Sequence, residues 1–340
     1  MTETGGHVAR WDLDKTYLRT EFDTIKDLVR TALERPDEKR TNPGAATLLR
    51  EMVRSGVRVH ILSGSPEQMR ERLESKLRLD GIAWDSFTLK PNLQNMLRLR
   101  FRALRDQLGY KLPALLRSRA SIPNDAPLPA ETLFGDDAEA DAFVYSLYAD
   151  VISGKVDAAG LRAICENGRM YEDVLEEVLD DAAKIRPADS VARIFIHLER
   201  QSPPDEFAAY GRRVVPFYNY LQAAFAMHED GWLPTEAVLR VASELVLLHR
   251  FDGDSLARSY ADLARRGHLA GKDDGAFATA FAAWKEREKV PAEAELERLV
   301  GALPRYAEAA RKSAKPAPPY TPPDYAKMVR SHTKRKKKKG

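Results

Sequence analysis

His7-Val-Ala-Arg-Trp-Asp12-Leu-Asp14-Lys-Thr16 is the stretch on which the reading of this chain turns. A short apolar run, His7–Leu13, ends in two carboxylates two residues apart. In a tight turn just past the strand Asp12 and Asp14 can both line one crevice. There one carboxylate is placed to attack phosphorus and the other to deliver and remove protons, because the acyl phosphate so formed is readily hydrolysed. Mg²⁺ suits such a site, since hard oxygen ligands and phosphate oxygens both favour it. The bland alternative is an acidic turn that caps a helix.

Working outward, residues 1–155 alternate strand-like and helix-like segments. Val57–Ser63, Ser86–Leu89, Thr132–Gly135 and Ala149–Ser153 read as further strands. Pro43–Ser55, Pro66–Leu79, Asn92–Leu108 and Ala138–Tyr148 read as amphipathic helices. This alternation predicts an α/β fold with a parallel sheet, and ligands bind such sheets at the carboxyl ends of the strands. Arg58 and His60 interrupt the second strand, which fits one partly exposed face better than a doubly covered one. Two more strand ends carry chemistry. His60-Ile-Leu-Ser63-Gly64-Ser-Pro66 offers a hydroxyl and a glycine before a helix start, a natural phosphate cradle. Gly135-Asp136-Asp137-Ala-Glu-Ala-Asp141 supplies the carboxylate oxygens that a Mg²⁺ site needs.

These motifs, in this order, resemble the haloacid-dehalogenase superfamily of phosphohydrolases, and most closely the catalytic domain of the actin-patch-type phosphatidate phosphatases, related to the lipins. The resemblance rests on Asp12-x-Asp14-x-Thr16, Pro43-Gly44, Ser63-Gly64-Ser65-Pro66 and Gly135-Asp136 through Asp141 to Tyr145, and covers roughly residues 7–155. It implies a Rossmann-like catalytic domain with Asp12 as nucleophile and Asp14 as general acid and base. It implies a Mg²⁺ held by Asp12, the Asp14 backbone carbonyl and Asp136, with Asp141 or Asp137 completing or orienting the ligands. Thr16 is expected to brace the loop at the phosphate, with Ser63 and Gly64 binding the phosphoryl group. The family also needs a lysine, for which Lys111 is the candidate and Lys90 the rival. The block departs from the family's Gly-Asp-Ser-Gly-x-x-Asp-Pro pattern: Asp137 and Glu139 are additional acids. Both are expected on an exposed first helical turn, where the dipole favours them.

From residue 156 to 312 the 3.6-residue period persists and predicts an all-helical domain of unknown role. Its helices are read as Ala158–Asn167, Tyr171–Lys184, Ser190–Arg200, Phe207–Glu229, Thr235–His249, Ser255–Arg266, Gly275–Glu286 and Ala292–Lys312. Phe251-Asp-Gly-Asp-Ser255 mimics an acidic site but reads as a turn plus helix cap. Residues 313–340 read as a Pro-rich linker followed by a disordered polybasic tail, Lys334-Arg-Lys-Lys-Lys-Lys339.

Composition bounds the function. Cys165 is the only cysteine, which excludes a disulfide framework and cysteine-based metal sites. No apolar run reaches membrane-spanning length, and Met1–Thr16 has no signal-peptide core, so a cytoplasmic protein, peripheral at a membrane surface at most, is expected. The net charge of +3 is unevenly spread: eight Lys or Arg and no acid follow from Lys327. The remaining 46 basic and 51 acidic residues leave about −5, which argues against a body that wraps nucleic acid. The tail reads as a solvated end that aids solubility, an anchor for transient contact with anionic lipid, or a nucleic-acid arm. The seven histidines show no metal-ligand spacing. The sequence therefore predicts a Mg²⁺-dependent phosphomonoesterase acting on phosphatidate or another bulky phosphorylated substrate. The competing readings are a catalytically idle scaffold and a polynucleotide-end phosphatase.

Overall fold

Six strands form one parallel sheet: β1 (His7–Trp11), β2 (Arg58–Pro66), β3 (Ser86–Lys90), β4 (Ala130–Asp136), β5 (Val191–His197) and β6 (Val214–Phe217), in the spatial order β3-β2-β1-β4-β5-β6. The computed structural model describes residues 6–19, 40–90, 104–272, 275–313 and 319–337. The chain winds outward from β1 to β3, then crosses back to β4 and winds the other way. That reversal puts a topological switch point between β1 and β4, where open α/β sheets bind their ligands.

The strands alternate their apolar side chains between two cores, as a period of two requires. Trp11, Val59, Ile61, Phe134, Phe195 and Phe217 enter one core; Leu62, Leu133, Ile194 and Ile196 enter the other. The first core is covered by α1 (Ala45–Arg54), α2 (Arg70–Leu79), α7 (Tyr220–Glu229), α8 (Thr235–His249), α9 (Gly253–Arg265), α10 (Ala276–Arg287) and α11 (Glu293–Ser313). The second is covered by α3 (Leu104–Ala120), α4 (Asp141–Ile152), α5 (Ala158–Asn167), α6 (Glu172–Lys184) and α12 (Tyr325–Lys337). With both faces covered, a parallel sheet is the expected arrangement. Arg58 is exposed at the start of β2 and His60 is half-buried, so the interrupted pattern of that strand reflects one partly open face.

Several expectations need correction. Residues 156–312 are not all-helical. Val191–His197 and Val214–Phe217 are strands β5 and β6, paired with β4 and with each other, so the second half of the chain completes the sheet begun by the first. Val191-Ala-Arg-Ile-Phe-Ile-His197 is rich in β-branched and aromatic residues, and burial between two layers overrides its helical spacing. Pro216 disguised β6, yet β6 is an edge strand, where a missing N–H is tolerated. Ala149–Ser153 is not a strand: it ends α4, a helix apolar nearly all round because it is buried nearly all round. The helix expected over Asn92–Leu108 lies largely outside the described residues and is observed from Leu104 as α3.

The tail is corrected as well. Tyr325–Lys337 is helical, not disordered. Tyr325 and Val329, one turn apart, are buried in the second core, and the hydroxyls of Tyr320 and Tyr325 both donate to Asp150 Oδ2 at 2.6 Å. Residues 338–340, the end of the polybasic run, lie outside the described residues. No described helix is long and apolar enough to cross a membrane.

Candidate metal and phosphoryl site

At the carboxyl end of the sheet the chain leaves β1 through a turn that carries Asp12, Asp14 and Thr16, all buried. Lys15 adopts a left-handed conformation (φ 62°), which bends the turn back over the strand ends. Neighbours brace it from three sides. Asn42 Nδ2 donates to the carbonyls of Lys15 (2.9 Å) and Thr16 (2.7 Å). The Tyr220 hydroxyl donates to the Thr16 carbonyl, and His197 Nδ1 donates to the Lys15 carbonyl at 3.4 Å. Burial pushes the His197 imidazole down to about 4, so it is neutral near pH 7.

Asp14 is held by β2. Ser63 and Ser65 lie two residues apart, hence on one face of the strand, and their hydroxyls donate to Asp14 Oδ2 at 2.9 and 2.8 Å. The Ser65 N–H returns to Ser63 Oγ at 3.0 Å, which fixes the pair. Gly64, between them, is half-buried and faces open space. Asp14 Oδ1 has no hydrogen-bond partner. Thr16 Oγ1 donates to Asp12 Oδ2 at 3.4 Å. Ser63 and Thr16, expected at the phosphoryl group, therefore hydrogen-bond the two acids.

Asp136 ends β4 across the switch point. Its Oδ1 accepts the N–H groups of Ala138 (2.6 Å) and Glu139 (3.0 Å), while its Oδ2 is buried with no partner. Asp141, at the start of α4, accepts the Asp136 N–H at 3.1 Å and packs directly over Gly135, where any Cβ would collide with the carboxylate. Lys111, on α3, is fully buried at the centre of these acids. Its Nζ stands 3.5 Å from Asp12 Oδ1, 3.0 Å from Glu139 Oε2 and 2.5 Å from Asp141 Oδ1. Lys90 instead sits over the Tyr110 ring, 5.9 Å from its centroid.

Two assignments change. Asp137, expected as a possible ligand, turns away from the cluster and accepts the backbone N–H groups of Arg200 (2.8 Å) and Ser202 (3.0 Å) in the loop after β5. Glu139, expected on an exposed turn, joins the cluster instead. Asp12, Asp136, Glu139 and Asp141 each offer an oxygen, all within 4.8 Å of one another. Ser65, Asn42, His197 and Tyr220 were not read as site residues; only Ser65 had a local signal, the two-residue period of its strand.

The electrostatics follow from burial. Asp12 and Asp136 are pushed well above the ordinary carboxylate range because burial penalises their charge; Lys111 opposes this, and the neighbouring acids reinforce it. Asp14 and Asp141 are raised for the same first reason. Burial would depress Lys111, but Asp12, Asp141 and Glu139 outweigh it and hold the ammonium well above its ordinary value. Asp12 Oδ1, Asp14 Oδ1 and Asp136 Oδ2 are buried polar atoms without hydrogen-bond partners, and such atoms are costly unless something satisfies them. Oxygen-only donors with excess negative charge fit a hard divalent cation.

Compared with known proteins, the chain matches no protein-family model and has no significant match to any curated protein or solved structure.

Proposed function

We propose that this protein is a Mg²⁺-dependent phosphohydrolase that works through an aspartyl phosphate. One observation carries the reading. Asp12 Oδ1, Asp14 Oδ1 and Asp136 Oδ2 are buried without hydrogen-bond donors, beside a buried lysine, at the switch point of a parallel sheet. The motif order that resembles the haloacid-dehalogenase phosphatases supports the same reading.

Asp12 and Asp136, with Glu139 beside them, are the side chains that would hold Mg²⁺, and Asp141 orients the set through its contacts with Lys111 and the Asp136 N–H. When bound, the ion supplies positive charge to the phosphoryl oxygens and to the nucleophile. The chain's own groups do the rest. Asp12 forms a bond to phosphorus as the bond to the leaving oxygen breaks, and Asp14 gives that oxygen its proton. Water then attacks phosphorus, its proton passes to Asp14, and the bond between phosphorus and Asp12 breaks to release phosphate. Asp14 suits the role: two serine hydroxyls pin Oδ2, leaving Oδ1 to carry the proton, and burial favours the protonated form. Lys111 offsets negative charge at Asp12 and on the phosphoryl group. Phosphatidate or another bulky phosphomonoester is the proposed substrate class.

The test is phosphate release by wild type and Asp12→Asn, with Mg²⁺ and with EDTA, on an aryl phosphate, phosphatidate in mixed micelles and a 3′-phosphorylated oligonucleotide. Release that requires Mg²⁺ and disappears in Asp12→Asn is expected, and the preferred substrate decides between lipid and polynucleotide ends. No release from any substrate, together with no Mg²⁺ binding, would make the domain an idle scaffold.

A further inference from the structure

Opposite the acidic site, at the amino ends of β5 and β6, lies an open cavity of about 1300 Å³. Its walls come from the first residues of β5, the loop before β6, the carboxyl ends of α7, α9 and α11, and the loop 267–272. Six cations line it, Arg193, Arg212, Arg213, Arg265, Arg266 and Lys272, against two acids, Glu229 and Asp230.

Both acids already have partners. Glu229 accepts the Tyr260 hydroxyl and the N–H groups of Ala270, Gly271 and Lys272. Asp230 accepts two bonds from Arg193, each 2.8 Å. Most of the cations have local reasons to be there: Arg265 and Arg266 pair with Asp262, and Arg213 faces Asp150 and Asp189. Arg212 has no such reason. It is exposed, forms no ion pair among the described residues, and lays its guanidinium beside Gly267.

One further feature points to what would sit between these charges. Trp232 and Tyr306 are half-buried in the wall, with Trp232 set edge-on against His7 at 4.0 Å. Guanidinium groups match phosphate oxygens, and aromatic walls accept a flat ring.

We propose that this cavity binds a nucleotide, with phosphates toward Arg212 and the base against Trp232 or Tyr306. The volume exceeds the roughly 300–1,000 Å³ of typical small-molecule pockets, so a nucleoside diphosphate fits. The inference does not rest on the phosphohydrolase reading, because the cavity shares no residue with the acidic site.

Calorimetric titration of the full chain in EDTA tests it, with ADP, pyrophosphate and adenosine as probes; without a cation the acidic site repels the two anionic probes and so offers no competing anion site. One saturable ADP site is expected, tighter than pyrophosphate and adenosine, weakened about tenfold or more by Arg212→Glu and unchanged in Asp12→Asn. Aryl phosphate turnover should be the same in Arg212→Glu as in wild type. Absence of saturable ADP binding, ADP binding that Arg212→Glu leaves unchanged, or pyrophosphate binding as tight as ADP overturns the proposal. If Arg212→Glu does not fold, Arg212→Gln is judged by the same titrations.

Discussion

β1 with the turn that follows it, α3, β4 and α4 each contribute a polar side chain to two buried clusters. One holds Arg10, Arg119, Glu131 and Tyr148; the other holds Asp12, Lys111, Asp136 and Asp141. In the first, every oxygen of the acid is taken. Glu131 Oε2 accepts from Arg10 and Tyr148, and Oε1 accepts from Arg119 and Tyr148. Glu131 lies below its ordinary range: burial alone would raise it, but the two arginines and the tyrosine hydroxyl prevail. In the second, one ammonium faces four acids, and oxygens of Asp12 and Asp136 have no donor. The same elements thus build one cluster closed at its acid, where only Arg119 Nε and Nη2 stay unpaired, and one open at its acids. The closed cluster fixes β4 to β1; the open one could hold a metal ion.

Breaking the open cluster should erase activity with little harm to the fold. Asp12→Asn should reduce phosphate release to background, and Asp14→Asn should lower it about 10²–10⁴-fold, the usual worth of a general acid and base. Breaking the closed cluster should do the reverse. Glu131→Gln leaves two buried guanidinium groups underpaired and should cost about 3–5 kcal/mol in urea unfolding. Ser65→Ala removes one hydroxyl from Asp14 and should cost roughly 1 kcal/mol of transition-state stabilisation, read as kcat/KM.

The smallest effect sharpens the comparison through pH. In EDTA the folded state holds protons on Asp136 that the unfolded chain releases, because its pKa is raised. Its contribution to stability is complete below the ordinary carboxylate value of 3.8 and is lost as pH rises through the folded value. Asp136→Asn should flatten that decline and stabilise the metal-free protein by on the order of 1 kcal/mol. Glu131 acts in the opposite sense: its contribution is complete above 4.5 and lost as pH falls. Thermal unfolding from pH 4 to 8 in both backgrounds separates the two. If Asp136→Asn steepens the decline, the open cluster is not electrostatically frustrated.

The parts of the site legible in the sequence are those that sit where a strand meets a turn. Asp12, Asp14, Ser63 and Asp136 are polar residues directly after apolar runs, and that position alone marks a crevice. Lys111 has no such mark, because it reaches the site from the flank of a long helix; only the resemblance singled it out. Glu139 and Asp137 exchanged places because both lie in the turn between β4 and α4, and which one faces inward depends on the loop after β5, a strand hidden by helical spacing. Asn42, His197 and Tyr220 come from three distant segments, so nothing local connects them to the turn they brace. In the sheet, the strands carrying the acids were readable, whereas β6 was obscured by a proline that only an edge position permits.

The pairing of β5 with β4 has a consequence for how the molecule is made. All the acids of the site, and its lysine, have been synthesised by residue 141, yet His197 and Tyr220 have not. Until those residues emerge from the ribosome, the nascent chain carries a complete set of charges on an unbraced turn and an unpaired β4 edge, Ala130–Asp136. The site therefore matures late, and a chain stopped at residue 155 should aggregate through that edge rather than fold as a smaller domain.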